Sequence, residues 1–178
     1  MKHLRFALMA LTVLTLSSCS SDPQLADPET YEKTEQLQKQ YGPFIVGTWY
    51  NEHVSDRQRF FEKLTFQEDG TLTGYRKWQS RSVVTIGGEE RYTDWEDVDD
   101  DTFTGRWQLY WEREGDNGAG ANRLMIIASF DSGQAYYAYS LNALFRFVDA
   151  TTLNFDGGFF SNSDGTTNYT RGDAEPSF

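Results

Sequence analysis

A single cysteine, Cys19, among 178 residues leaves no intramolecular disulfide, so the fold has to be held by its core alone. Histidine is almost as scarce. His3 and His53 are the two present, and a zinc centre usually takes several His or Cys ligands. A Ser-His-Asp arrangement needs one histidine, but no nucleophile elbow or comparable frame accompanies His53, which reads as a solvent-facing loop residue. Phosphate-cradling loops are missing too: GDNGAGAN, residues 115–122, lacks the Lys and the helix that such a loop requires. Bases are in the minority, 16 Lys and Arg against 27 Asp and Glu, for a formal net charge of −11. That balance excludes nucleic acid and anionic headgroups as partners and suits cations or a basic protein. No apolar run reaches the roughly 20 residues that a membrane-spanning helix needs. The sequence therefore offers no catalytic residue and no cofactor, and it predicts a non-enzymatic protein.

What is present begins at the amino terminus, MKHLRFALMALTVLTLSSC. Lys2 and Arg5 precede an apolar stretch from Phe6 to Leu16, the layout of a secretory signal whose apolar region is roughly 7–15 residues. Leu16-Ser17-Ser18-Cys19 resembles the bacterial lipobox. That resemblance implies cleavage after residue 18, acylation of Cys19 (palmitate or a similar chain) and anchoring as a lipoprotein of the bacterial envelope. The expected location is the outer membrane, on its periplasmic or surface face. Several acyl chains hold a protein stably where one is marginal at ~0.8 kcal/mol per buried CH₂. Loss of Lys2 and Arg5, with no acid lost, takes the formal charge from −11 to −13.

Residues 19–26 read as the lipidated Cys and a tether, and 27–42 as a lead-in helix. Asp27 is a good cap, Pro28 a good first helical residue, and Gly42-Pro43 a stop. From residue 43 to 178 the apolar period is two. Alternating runs flank Asp69-Gly70, Gly87-Gly88 and Asp164-Gly165, each a tight-turn signal. The fold class is all-β. The pattern predicts an antiparallel up-and-down barrel of about eight to ten strands, because closure removes exposed edges.

Several stretches resemble the lipocalin-like (calycin) domains of lipoproteins from Bacteroides-type bacteria: IVGTWYNE, LTFQEDGTLTGY, GRWQL, RLMIIASF, FRFVDATTLNF and NYTR, across residues 45–171. The resemblance implies a small barrel that binds an apolar or amphipathic ligand. It also implies that Trp49 plugs one end, with Arg171 of the last strand stacked on it.

Parity picks out one face of each strand. It groups Phe60, Glu62, Leu64 and Phe66; Leu72, Gly74, Arg76 and Trp78; Phe103, Trp107, Leu109 and Trp111; and Leu124, Ile126, Ala128 and Phe130. Charges on such a face must be paired or touch a ligand. Either Arg76 and Glu62, with Trp78 and Trp111, line a ligand pocket, or they sit at the rim in water. The acidic run DWEDVDDD, residues 94–101, alternates Asp97, Asp99 and Asp101 as Ca²⁺ ligands do. Thr102 and Gln108 stand where a Ca²⁺ loop carries Gly and Glu, so the run reads as a solvated loop, or as a contact for a basic protein. Two functions remain open: an anchored binding protein for a small apolar or amphipathic ligand, and a protein-interaction module (an inhibitor or an assembly subunit) with a packed barrel and acidic contact loops.

Overall fold

The computed structural model describes residues 28–114, 118–131, 138–156 and 165–178. The predicted signal peptide 1–18, the lipidation residue Cys19, the tether and the cap Asp27 lie outside the described residues. One helix, α1 (Pro28–Ile45), precedes ten strands: β1 (Gly47–Val54), β2 (Gln58–Phe66), β3 (Thr71–Ser80), β4 (Val83–Ile86), β5 (Glu89–Tyr92), β6 (Glu96–Glu114), β7 (Ala119–Phe130), β8 (Ala138–Phe147), β9 (Thr152–Asp156) and β10 (Thr166–Arg171). Eight of them close an antiparallel barrel in the order β1-β10-β9-β8-β7-β6-β3-β2, and β4 and β5 form a separate hairpin. No described helix is long and apolar enough to cross a membrane.

The turns follow the sequence closely. Gly87 and Gly88 both adopt positive φ, 64° and 91°, which is what a two-residue β4–β5 connection demands. Gly70, at φ 79°, closes the β2–β3 turn, where Asp69 accepts bonds from the Thr71 N–H and hydroxyl.

Three boundaries differ from expectation. The helix does not stop at Gly42-Pro43 but runs on to Ile45. Ile45 is fully buried, and the free carbonyls of the last turn find donors in the barrel. Trp49 Nε1 donates to Ile45 O at 2.7 Å, and Arg171 donates to Phe44 O at 2.9 Å and Val46 O at 2.7 Å. Tertiary capping thus outweighs the local stop signal. The acidic run is not a loop: residues 96–101 begin β6 and pair with β3. The alternation in AYYAYSL and in LFRFV predicts two separate strands, but β8 runs unbroken from 138 to 147, with residues 135–137 outside the described residues.

The parity sets face inward. Trp49, Phe60, Leu64, Phe66, Leu72, Phe103, Leu109, Leu124, Ile126, Leu153 and Phe155 are all at most 1% exposed. Cross-strand rows stack along the barrel. The row Phe66–Leu72–Gly105–Ala128 lies nearest α1; next come Leu64–Gly74–Phe103–Phe130, then Glu62–Arg76–Asp101, then Phe60–Trp78–Asp99. Gly74 is required where it stands, because a Cβ there would lie 2.1 Å from the Phe103 ring. The helix covers the end that holds the later part of β6, with Gln38 Nε2 donating to Leu109 O and the Trp111 N–H to Thr34 Oγ1.

Candidate functional site

The far half of the barrel holds charge inside an aromatic wall. Glu62 is fully buried and Arg76 is 5% exposed. Arg76 donates to Glu62 Oε2 through Nε at 3.0 Å and through the terminal amine at 2.7 Å. The Tyr169 hydroxyl donates to the other oxygen, Oε1, at 2.5 Å. Strand register brings the three together: Glu62 and Arg76 face each other on β2 and β3, and Tyr169 comes from β10, on the other side of β1. Each lies on the inward parity of its strand, so alternation alone directs them to one interior. The guanidinium also lies 3.6 Å from Asp99 Oδ2, and within 5.1 Å of the Phe130 ring, 5.9 Å of Phe60 and 6.0 Å of Phe103. A buried charge requires such partners to offset its lost hydration. Burial raises the Asp99 carboxyl above its ordinary value, against the lowering effect of Arg76.

Of the residues singled out by sequence, Glu62, Arg76 and Trp78 share this end. Trp78 is half-buried opposite Phe60 and Asp99. Trp111 does not join them. It lies ten residues along β6 from Asp101, Arg76's partner in register, or roughly 33 Å at strand rise. Its ring packs under α1, where Lys33 Nζ sits 4.0 Å from the ring centroid. A Cβ on Gly120 would come within 1.9 Å of that ring. The rim alternative for Glu62 and Arg76 also fails, since neither side chain reaches water appreciably.

At the covered end Trp49 and Arg171 are partners in register on β1 and β10. The guanidinium carbon lies 5.0 Å from the Trp49 ring. Both residues cap α1 as well, a role beyond plugging. His53 is exposed, on strand β1 and not in a loop.

The three candidate metal ligands do not converge. Asp99 and Asp101 keep the inward parity of Phe103, while the register shift between Trp78 and Gln79 sets Asp97 opposite Gln79, whose amide donates to it at 2.8 Å. Among the described residues no group of three or more His, Cys, Asp or Glu is placed to hold a metal ion. Asp100 points outward, bonded to the Tyr75 hydroxyl at 2.9 Å and 3.6 Å from Lys77 Nζ. Burial and that bond push the Tyr75 phenol up to about 12.

Tyr169, Asp99 and Asp101 are the interior groups that sequence reasoning did not assign to the site. Extending the Phe103 parity two steps backward would have found both acids. A surface groove of about 440 Å³ lies apart from this cluster, between the end of α1 and the β2–β3 turn, with Pro43, Val46, Gly70 and Trp107 among its walls.

Comparison with protein-family models, with characterised proteins and with solved structures finds no match, so the lipocalin-like resemblance rests on the sequence motifs quoted above.

Proposed function

We propose that the chain is a non-catalytic binding protein, anchored to a bacterial envelope through Cys19, whose barrel takes a small amphipathic ligand at the end away from α1. The apolar part of the ligand packs against Phe60, Trp78, Phe103 and Phe130, and its polar end meets the Glu62–Arg76–Tyr169 cluster. One observation carries this reading: a buried, hydrogen-bonded ion pair inside the barrel, with the rings of Phe60, Phe103 and Phe130 beside it. Apolar residues of similar volume generally serve stability as well as a buried ion pair or better, so a role in orienting a ligand accounts for the cluster where core packing alone does not. Binding sites commonly combine apolar walls with a few convergent polar groups. The cluster contains no nucleophile–base pair, and we assign it no reaction.

The filled middle of the barrel, where the Phe103 ring closes over Gly74, favours a second reading, the packed interaction module. Native mass spectrometry of the protein purified gently from its bacterial host separates the two. Extra mass that leaves on denaturation supports the carrier. A clean apo mass turns the case toward the interaction module, to be pursued by pull-down.

A further inference from the structure

We propose that Glu62 is the chain's own occupant of a carboxylate-binding site, and that it sets the ligand class: the barrel refuses acids and takes an amphiphile whose polar end is an ammonium group. This rests on the ligand-binding reading above.

A guanidinium and a phenol that reach from two strands to the two oxygens of one carboxylate form the arrangement by which proteins hold a bound acid. Here the carboxylate is supplied from within, by β2. Arg76 Nε and a terminal amine occupy Oε2, and Tyr169 occupies Oε1. The other terminal amine of Arg76 is directed at Asp99, 3.6 Å away. The faces of the guanidinium lie near Phe130, Phe60 and Phe103. An incoming acid would therefore have to displace Glu62 and then share the barrel interior with it. Register adds Asp101 directly across from Arg76. Among the described residues, Glu62, Asp99 and Asp101 (whose Oδ1 accepts from the Thr102 N–H at 2.8 Å) set three formal negative charges against the one positive charge of Arg76 on this part of the inner wall.

In a poorly hydrated interior a further negative charge is strongly repelled, whereas a positive one is attracted. Aromatic faces add to the attraction for an ammonium group. Burial holds the half-buried Asp99 carboxyl above its ordinary value even with Arg76 beside it, and a cation next to it would favour its charged form.

The test uses two probes with the same alkyl chain, dodecylammonium and dodecanoate, titrated calorimetrically into the purified protein, together with the effect of acetate on Glu62→Ala. The expected result is dodecylammonium binding tighter than dodecanoate by at least about tenfold, equal to ~1.4 kcal/mol, and a preference that collapses or inverts in Glu62→Ala. Acetate, with chloride as the ionic-strength control, should raise the thermal midpoint of Glu62→Ala and leave that of the unaltered protein unchanged. If Glu62→Ala does not fold by itself, acetate-dependent refolding gives the same information. Equal or tighter binding of dodecanoate by the unaltered protein overturns the proposal, as does an acetate response no larger than that to chloride. If acetate rescues Glu62→Ala but neither dodecyl probe binds, the internal carboxylate site stands and the ligand-binding reading falls.

Discussion

Replacing Arg76 by Met keeps side-chain volume roughly constant and removes the positive charge from the barrel interior. Glu62, fully buried, would then keep Tyr169 but lose both guanidinium bonds to Oε2. Breaking a buried pair from one side in this way costs about 3–5 kcal/mol. At a urea slope of about 2 kcal/mol per molar, the unfolding midpoint should fall by roughly 2 M. The companion variant Glu62→Leu/Arg76→Met removes both charges and should recover most of that loss. It also removes the Glu62 acceptor of the Tyr169 hydroxyl, and adding Tyr169→Phe should change stability by no more than about 1–3 kcal/mol. Urea titration followed by tryptophan fluorescence reads all four proteins. A cost under ~1 kcal/mol for Arg76→Met, the range of a solvated surface pair, would refute the reasoning and return the pair to the rim.

Trp49→Ala should cost about 3–5 kcal/mol, from the cavity it leaves and from the uncapped Ile45 carbonyl, measured by the same titration. Gly74→Ala forces a methyl into the Phe103 ring and should destabilise by about 1–3 kcal/mol, with a change in near-ultraviolet circular dichroism. Bonds from the Thr151 N–H and hydroxyl hold the Asp149 carboxyl below its ordinary value. The unfolded chain takes up that proton first as pH falls, so the contribution of Asp149 is present above about pH 4 and lost on further acidification. Stability of Asp149→Asn should accordingly trail the unaltered protein at neutral pH and converge with it in acid; a gap that persists at about pH 2 would contradict this.

Most of the barrel was legible because its determinants are local. Two-residue periodicity placed Phe60, Leu64, Leu72, Phe103 and Leu124 inside, and glycine pairs marked the turns. The acidic start of β6 was not, because Asp is a poor strand former by itself. Its partners Tyr75, Lys77 and Gln79 lie on β3, more than fifteen residues earlier, and no local reading of residues 94–101 contains them. The end of α1 was misjudged for the same reason, since its carbonyls are capped from Trp49 and from Arg171 in the last strand. Within the site, parity supplied Glu62, Arg76 and Trp78. It could not say how far along the barrel each lies, so Trp111 was grouped with residues at the opposite end.

The central claim is that the interior ion pair meets a ligand. Nitrogen-15 spectra of arginine side chains, recorded while dodecylammonium is added, test it most directly. The account predicts that the Arg76 Nε–H resonance moves in proportion to binding, while that of the exposed Arg57 stays in place. Movement confined to exposed arginines, with Arg76 unchanged at saturation, would contradict it.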